Sequence, residues 1–450
     1  MSKSNSAQDE PKRSERLWSE LEAAGCANDC FRLSALPCPA FARETSSVGN
    51  GLGWCPQGLP SGSSIHVTSS RLTRQLESFS VWFDAIRTFG SKFDRDAHFL
   101  LTAETTTTDR WVVRLGELFD IPVVRVARFP KRVTAKWIEQ QKSNSSERLR
   151  TMWLEPTSDV SWDDVLISIA SEIRVLRVRS GGNVHRAIVR RLETSSGRTW
   201  LLVDPSLTNP SESEKMIHAG ATGWWLYPSK NVGPRSAISS AEQKEAPSTH
   251  AKLIAADEID SSEYAIHWTR RRHGAWPDQA DPDYLDDLIF RRDSSDHRTL
   301  SALRRILMTQ RLIASNALTR DSTPVVCFAD VRLTEIKNRR TFRSHLARWD
   351  FEPYGIAIRK ETLERHGARA VIYGDDSDWN ELAQSNRPFF QLAGDKDSNH
   401  DWRLEREIRL CGDLALKRIG PSDAVVFVPS TEDARQIASL SRWPVVVLDS

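Results

Sequence analysis

The stretch 172–192 constrains the fold most, because its residue types predict a strand, a glycine turn and a helix in direct succession. The predicted strand is rich in β-branched residues, the turn is Ser180-Gly181-Gly182-Asn183, and apolar residues then return at helical spacing. Glycines let a backbone approach a ligand closely, and the N–H groups and dipole of a helix's first turn favour phosphate. The stretch therefore predicts an anion site at the turn.

Strands and helices alternate on both sides of this stretch. The pattern predicts further strands at 65–68, 98–103, 122–129, 200–204 and 223–227. It predicts helices at 72–89, 109–119 and 162–170, and a helical stretch that ends near Arg150. This order predicts a doubly wound parallel sheet, an α/β fold with helices on both faces. Ligands of such sheets bind outside the carboxyl ends of the strands, where Ser69, Ser70 and Arg71 would lie close to the glycine turn.

A chain of 450 residues is long enough for two or three domains. We predict a partly disordered segment at 1–63, whose part 35–63 is rich in Pro, Gly and Ser and is expected to be irregular. An α/β domain at 64–228 and a linker at 229–255 follow, since apolar periodicity disappears from 229. The remainder, 256–450, has many predicted strands and few helices, which indicates a mixed α+β domain.

The second domain is predicted from short apolar runs. They indicate strands at 264–268, 325–328, 354–358, 370–373, 406–410, 424–428 and 444–448. A strong amphipathic pattern predicts one helix at 300–317.

The composition indicates the cellular compartment and whether the cysteines bind a metal. No apolar run reaches the length of a membrane span and no signal-peptide core is present at the N-terminus, so we expect a cytoplasmic protein without a membrane partner. The net charge of +2 does not by itself indicate a nucleic-acid partner. Cys26, Cys30, Cys38 and Cys55 match no paired C-x2-C spacing, so free thiols are favoured over zinc and no metal is predicted.

Two loops give the first domain a family resemblance. Ser69-Ser70-Arg71 follows an early strand, and Ser180 to Asn183, preceded by Arg179, follows a later one. On these loops 65–227 resembles the Rossmann-like superfamily that includes the DNA-processing recombination mediator and the cytokinin-activating phosphoribohydrolases. The resemblance implies nucleotide or nucleic-acid binding. It departs at Ser69, where a glycine is usual, and at His185 and Arg186, where the phosphoribohydrolases have a catalytic Glu, so hydrolysis is not expected. A purely structural domain is the alternative.

Three separated residues give the second domain a different resemblance. His267, Tyr354 and Glu407, with Glu405 as the second choice, each come from a different predicted strand. Their order resembles the H-Y-E arrangement of the ADP-ribosyltransferase superfamily, over about 263–409. The resemblance implies NAD as substrate: the His would hold the nicotinamide ribose, the Tyr would stack on nicotinamide, and the Glu would stabilise an oxocarbenium-like transition state. Structural roles for all three residues remain the alternative.

Basic and aromatic residues follow His267 directly. Trp268, Thr269, Arg270 and Arg272 would lie at the mouth of that site, where guanidinium groups bind a pyrophosphate or a polynucleotide. Trp268 and Trp276 could stack on a base or belong to the core. Segments 349–373 and 401–407 also look like C-terminal domains of bacterial phage-defence and abortive-infection proteins.

Three functions remain open from the sequence. The first is a nucleotide-sensing effector, defence-related, that transfers ADP-ribose from NAD to a nucleic-acid or protein acceptor, or hydrolyses it. The second is a non-enzymatic regulator that binds a nucleotide or nucleic acid. The third is a metal-dependent nuclease, with Asp350, Glu352, Asp375, Asp376 and Asp378 as candidate magnesium ligands. Of these, Asp375, Asp376 and Asp378 are more simply explained as a turn after the strand that ends at Tyr373.

Overall fold

The computed structural model describes residues 10–33, 51–143, 146, 148–156, 161–194, 197–226, 251–317, 319–343, 348–393 and 406–448. They form two compact units. The first comprises the described residues of 1–233 together with 280–295, and the second comprises those of 234–279 and 296–450. The first unit is thus built from two separate stretches of chain.

The first unit contains nine named strands and eight helices among its described residues. The strands are β1 (Cys30–Arg32), β2 (Leu52–Trp54), β3 (Ser63–Ser69), β4 (His98–Ala103), β5 (Val123–Arg128), β6 (Leu149–Glu155), β7 (Glu172–Arg177), β8 (Arg198–Leu202) and β9 (Thr222–Trp224). The helices are α1 (Glu10–Ala23), α2 (Ser80–Ser91), α3 (Asp109–Phe119), α4 (Ala135–Ser143), α5 (Trp162–Ile169), α6 (Asn183–Glu193), α7 (Pro210–His218) and α8 (Asp281–Phe290).

These strands form one sheet in the order β1-β2-β6-β5-β4-β3-β7-β8-β9. Strands β3 to β9 are all parallel to their neighbours, whereas β1 and β2 join the β6 edge in antiparallel orientation. The chain moves outward from β3 to β6 and then returns to place β7 on the other side of β3. In doubly wound sheets a crevice lies outside the carboxyl ends of the strands where the winding direction changes, here β3 and β7. We call this position the crevice.

Helices cover both faces of this sheet. On one face α5 and α6 bury Val165, Ile167, Val184 and Ile188 against the strands. On the other face the rings of Trp82, Phe83 and Trp111 from α2 and α3 meet edge to face, with centroids 4.9 to 5.8 Å apart. The α/β class predicted from the sequence is confirmed.

Helix α8 packs on the α2 and α3 side of the first unit, although it comes from the second half of the chain. Arg114 of α3 donates two hydrogen bonds of 2.7 Å to the two carboxylate oxygens of Asp286. Asp84 of α2 accepts a hydrogen bond from Arg291 (2.9 Å), and Phe290 contacts Phe119 with ring centroids 6.4 Å apart. A bidentate arginine–carboxylate pair fixes both position and orientation.

The second unit has fourteen named strands and five helices among its described residues. The strands are β10 (Leu253–Ala255), β11 (Tyr264–Trp268), β12 (Arg311–Leu312), β13 (Val325–Ala329), β14 (Thr341–Arg343), β15 (Arg348–Asp350), β16 (Gly355–Arg359), β17 (Arg369–Ala370), β18 (Ile372–Gly374), β19 (Phe390–Leu392), β20 (Glu407–Cys411), β21 (Leu414–Ala415), β22 (Ala424–Val428) and β23 (Val445–Val447). The helices are α9 (Thr299–Thr309), α10 (Ile336–Arg339), α11 (Lys360–Arg365), α12 (Asp376–Glu381) and α13 (Thr431–Ala438).

The main sheet of the second unit is mixed, in the order β10-β23-β22-β16-β11-β13-β20-β17. The strands from β22 to β17 pair antiparallel, and β10, β23 and β22 pair parallel. Each face carries its own buried cluster. One includes Ala265, Phe328 and Ile356, and the other includes Ile266 and Ala329. A mixed α+β domain, as predicted, is confirmed.

Several predicted elements need correction. Within 35–63, expected to be irregular, Leu52–Trp54 is a fully buried strand. Strand β6 lies where the sequence predicts the end of a helix, because its charged and polar residues hide the alternation of a strand. The helix predicted at 300–317 ends at Thr309. Most of the predicted linker, 229–250, lies outside the described residues, and its remainder includes β10.

Candidate functional site

The two loops singled out by the sequence meet at the crevice between β3 and β7. The backbone N–H of Ser70 donates to the carbonyl of Arg177 (2.8 Å), and the N–H of Arg179 donates to the hydroxyl of Ser70 (2.8 Å). Arg177 also donates to the carbonyl of Arg71. These bonds join the end of β3 to the end of β7, so the predicted proximity of the loops is observed.

Buried side chains support the crevice from both sides. The indole N–H of Trp82 donates to Ser69 (3.1 Å), and the hydroxyl of Thr208 accepts from the N–H of Val178 (3.0 Å). Thr108 donates from its hydroxyl to the carbonyl of Val67 (2.6 Å). The sequence analysis did not identify Trp82, Thr108 or Thr208, which lie far from the loops along the chain. Trp82 lies within the predicted helix 72–89, whereas Thr108 and Thr208 lie between predicted elements, and no pattern in the sequence places any of them at the crevice.

The glycine turn has the conformation that its residues predict. Gly181 has φ +72°, in the left-handed region that side chains disfavour, and Gly182 caps the start of α6. A Cβ at Gly182 would lie 3.2 Å from the carbonyl oxygen of Arg179, a tight contact. Arg186 bonds back to the carbonyl of Gly181 (2.8 Å) and to the side chain of Asn183. The turn is therefore closely packed on its inner side and exposed at Ser180, Gly181 and Asn183.

Arginines of the two joined loops and of the first turn of α6 bring positive charge to the glycine turn. Arg71, Arg179 and Arg186 are exposed, and Arg177 is half-buried. Burial, and then the neighbouring charge of Arg179, lower the pKa of Arg177. Guanidinium groups held this close repel one another, and an anion placed between them would relieve that repulsion.

After β4, the next strand along the sheet, lies a carboxylate that is paired with an arginine. Asp109, 3% exposed at the start of α3, accepts hydrogen bonds from Arg125 and from the hydroxyl of Thr102 (3.1 Å). The hydrogen bonds that Arg125 donates to Asp109 raise the pKa of its guanidinium. This carboxylate is fully engaged and adds no free negative charge to the crevice.

In the second unit His267 and Tyr354 share one face of the sheet, and Glu407 lies on the other. Strand β11 places His267 opposite Ile356, and Tyr354 packs on the same cluster as Ile356. In contrast, Glu407 pairs with Ala329, which pairs with Ile266. Directly paired residues share a face and successive residues alternate. The structure therefore does not bring the predicted His and Glu into one cleft.

His267 is held as a neutral imidazole. Its Nδ1 lies 3.0 Å from the carbonyl oxygen of Cys327, and its ring lies 5.7 Å from that of Phe328. Burial, with a smaller contribution from Arg270, lowers the pKa of His267 to about 4. The carbonyl fixes the proton of the neutral imidazole on Nδ1.

Glu407 is engaged with a buried arginine. Arg409, 1% exposed, donates to both carboxylate oxygens of Glu407 (3.0 and 3.1 Å) and to the carbonyl of Phe390 (2.8 Å). Burial, and then the charge of Glu407, raise the pKa of the Cys327 thiol beside it. The alternative candidate, Glu405, lies outside the described residues.

Tyr354 belongs to a polar cluster at the start of α13. Its hydroxyl donates to Asp433 (3.2 Å), which also accepts from the hydroxyl of Ser430 (2.8 Å). Burial, and then the charge of Asp433, raise the pKa of Tyr354 to about 12. The hydroxyl is a fixed hydrogen-bond donor at neutral pH.

The predicted binding residues beside His267 are largely in the core. Trp268 and Thr269 are 9% and 2% exposed, and Trp276 is 6% exposed, so the tryptophans are not available to stack on a base. Arg270 lies 4.0 Å from Asp350, and Arg272 bonds to the carbonyl of Ala275. These residues stabilise the loop after β11.

The acidic residues considered for a nuclease are also engaged or dispersed. Asp375 caps α12 by accepting hydrogen bonds from the N–H groups of Ser377 (2.8 Å) and Asp378 (3.1 Å). Asp350 is 8% exposed. Among the described residues, no group of three or more His, Cys, Asp or Glu side chains is arranged to hold a metal ion.

The described cysteines of the N-terminal region are free thiols. Burial raises the pKa of Cys30 to about 12 and that of Cys55 to about 11. Cys38 lies outside the described residues. Within the part of the chain that is described, no helix is long and apolar enough to cross a membrane.

Comparison with known proteins gives structural likeness only. No protein-family model matches the chain, and no curated protein sequence matches it significantly. Similar solved structures include the molybdenum cofactor carrier protein of Chlamydomonas reinhardtii, at 12% identity and a TM-score of 0.24, over 37% of this chain and 90% of that one. DNA processing protein A of Streptococcus pneumoniae matches at 8% identity and a TM-score of 0.25, over 38% of this chain and 62% of that one.

DNA processing protein A of Helicobacter pylori, described as binding single-stranded DNA, matches at 7% identity and a TM-score of 0.26, over 43% of this chain and 93% of that one. The DNA-processing family named in the sequence analysis is thus among the structural neighbours. At these scores the likenesses carry no argument about function. None of the structures named here is an ADP-ribosyltransferase, and that resemblance stays a prediction.

Proposed function

We propose that the first unit binds a phosphate-bearing ligand of nucleotide size in the crevice between the carboxyl ends of β3 and β7. One observation carries the proposal. The loop after β3 and the glycine turn after β7 are hydrogen-bonded to each other and are surrounded by exposed arginines. Parallel sheets bind their ligands at this kind of winding change.

The chemistry of the turn suits an anion. The first N–H groups of α6 have no acceptor within the helix, and the helix dipole adds partial positive charge at the same end. Arg71 and Arg179 extend from the two loops that border the crevice. Backbone N–H groups would bind phosphate oxygens directly, and guanidinium groups would add charge-assisted hydrogen bonds.

A nucleotide-binding assay tests the proposal. Binding of fluorescently labelled ADP, with unlabelled ATP, NAD and pyrophosphate as competitors, is measured for the wild type and for Gly181→Glu/Gly182→Glu. Two carboxylates in the turn would repel phosphate and occupy its space, so we expect the Kd to rise at least about a hundredfold. Equal affinity of the two proteins contradicts the proposal.

A matched control is available in the same unit. Gly220 also has a positive φ, +109°, and a Cβ there would meet no atom within 4 Å. It lies before β9, at the amino end of that strand and far from the crevice. Gly220→Glu adds the same charge and a similar backbone strain, and it should leave the affinity unchanged.

NAD belongs among the ligands to be tested, because its pyrophosphate presents the same chemistry. Transfer or hydrolysis of its ADP-ribose would require His267 and Glu407 to act on one substrate from opposite faces of a sheet. The geometry therefore favours binding of NAD over transfer or hydrolysis of its ADP-ribose by His267 and Glu407.

A further inference from the structure

A small hairpin in the second unit exposes two aromatic side chains. Strands β14 and β15 form a separate two-stranded sheet in which Phe342 pairs directly with Trp349. Phe342 is 49% exposed and Trp349 is 41% exposed. Large aromatic side chains usually bury most of their area, so a directly opposed, exposed pair marks an interaction surface.

The two rings contact each other, and an arginine lies over one of them. The ring centroids are 5.2 Å apart with the planes tilted by 55°, and the guanidinium of Arg340 lies 4.3 Å from the centroid of Trp349. A guanidinium at this distance interacts favourably with the face of an indole ring. The hairpin therefore presents aromatic surface and positive charge side by side.

Arginines outnumber acids in the sequence of this segment. Between 339 and 350 there are four arginines and one acid, Asp350. Arg339 forms an ion pair with Glu335 (3.3 Å), so the exposed positive charge used here is that of Arg340. Asp350 is 8% exposed and lies 4.0 Å from Arg270, so its carboxylate is not part of the exposed surface. A partner with negative charge and flat apolar groups would complement both properties.

We propose that this hairpin is a binding surface for single-stranded nucleic acid. Bases would stack on Phe342 and Trp349, and phosphates of the strand would contact Arg340. Base–aromatic stacking needs bases whose faces are free, as in a single strand and not in a duplex. The hairpin supplies the exposed aromatic rings that the buried Trp268 and Trp276 do not. The proposal is independent of the crevice in the first unit, since it uses other residues.

The test uses the full chain and two labelled oligonucleotides. Fluorescence anisotropy with oligothymidine and oligouridine of roughly twenty nucleotides gives the Kd for the wild type and for Phe342→Ala/Trp349→Ala. Loss of two stacked bases should raise the Kd at least about tenfold. An unlabelled duplex of the same length should compete weakly. Equal affinity of the two proteins, or no binding of either oligonucleotide by the wild type, overturns the proposal.

Two further variants separate stacking from a loss of structure. Phe342→Tyr/Trp349→Phe keeps two aromatic faces and should keep the Kd within about twofold. Arg340→Gln leaves both rings in place and should reduce the slope of log Kd against log salt by about 0.7, the value for one phosphate contact. A full loss of binding in the aromatic-for-aromatic variant, or an unchanged slope for Arg340→Gln, contradicts the proposal.

A matched control and a second background complete the design. Ile372 and Leu392 are exposed to a similar extent, 40% and 43%, but have no arginine stack. Ile372→Ala/Leu392→Ala should therefore bind as the wild type does. The effect of the hairpin variant should persist in the Gly181→Glu/Gly182→Glu background, so that a strand held by the first unit is not mistaken for one held by the hairpin. An effect confined to the wild-type background overturns the proposal.

Discussion

The two units differ in how their strands run, and this decides which residues can meet. In the first unit β3 to β9 are parallel, so every loop that follows one of these strands lies at the same edge of the sheet. In the second unit β16, β11, β13 and β20 alternate in direction. Which residues can meet in the first unit depends on which loops follow neighbouring strands. In the second unit it depends on the register in which the strands pair, because the register decides the face of each side chain.

This difference explains why the two predicted loops lie together whereas His267 and Glu407 lie on opposite faces of their sheet. An error of one residue in a strand boundary leaves a loop at the same edge of a parallel sheet. In an antiparallel sheet, by contrast, a shift of one residue in the pairing register moves a strand side chain to the opposite face. The glycine turn was located correctly despite approximate boundaries, while Glu407 lies on the face opposite His267.

The largest effect is expected for Glu407→Gln, which tests the structural role of Glu407 in the second unit. The change leaves the buried guanidinium of Arg409 without its carboxylate, so the free energy of unfolding should fall by about 3 kcal/mol. Urea denaturation measures this change, with Glu361→Gln on the exposed surface of α11 as control. A catalytic Glu407 would instead give unchanged stability together with loss of nicotinamide release from NAD.

Acid stability tests a feature that the two units share. His66 in β3, like His267 in β11, has Nδ1 close to a neighbouring strand's carbonyl, at 2.9 Å from Leu101. Burial lowers the pKa of His66 from 6.5 to about 4. Between these values the unfolded chain binds a proton that the folded chain does not, so stability present above pH 6.5 is lost as the pH falls towards 4, by about 3 kcal/mol.

A variant of His66 isolates its contribution to the pH dependence of stability. In His66→Gln the decrease in unfolding free energy between pH 6.5 and 4 should be smaller than in the wild type, as measured by urea denaturation at each pH. His218→Gln, at an exposed position, should behave as the wild type. An identical pH dependence in His66→Gln and the wild type contradicts the account of a buried, neutral His66.

A smaller effect is expected at the helix that the first unit takes from the second half of the chain. Asp286→Ala removes both hydrogen bonds from Arg114, and the pair is partly buried, so we expect a loss of about 2 kcal/mol in the stability of the first unit. Thermal melting of this variant and of Asp283→Ala, an exposed change on the same helix, measures the difference. Equal melting temperatures would show that α8 adds nothing to the first unit.

The smallest effect is expected for Ser70→Ala, which tests the hydrogen bond between the two loops of the first unit. The change removes the acceptor of the Arg179 N–H, which should cost about 1 kcal/mol of stability and raise the Kd for a nucleotide a few fold. Ser91→Ala, at the exposed end of α2, is the control. No change in either quantity would mean that the link between the two loops is not needed.

Much of the fold could be predicted from hydrophobic patterns, because buried strands have unbroken apolar runs. Strands β4, β11 and β22 have the predicted boundaries to the residue. Strand β6 was missed because it carries charged residues among its apolar ones, and α9 is shorter than its amphipathic pattern, since β12 begins at Arg311. Periodicity records which residues are apolar and not where the chain changes element.

Less of the candidate sites could be predicted, because they depend on contacts between distant segments. The positions of Trp82 and Thr208 beside the crevice follow from tertiary packing. The membership of α8 in the first unit could not be inferred from chain order. The sequence does indicate the exposed hairpin, since Phe342 and Trp349 each stand next to an arginine. The sequence analysis instead named Trp268 and Trp276 as the residues that could stack on a base.

Hydrogen–deuterium exchange of the full chain, with and without ADP, tests the central claim most directly. If the crevice between β3 and β7 binds phosphate, the backbone amides of Ser180, Gly181, Asn183 and Val184, and those of Arg71 and Leu72, should exchange more slowly when ADP is present, since they would bind its oxygens. The same amides should show no change in the Gly181→Glu/Gly182→Glu variant. Saturating ADP with unchanged exchange at both loops, or with protection confined to the second unit, would contradict the claim.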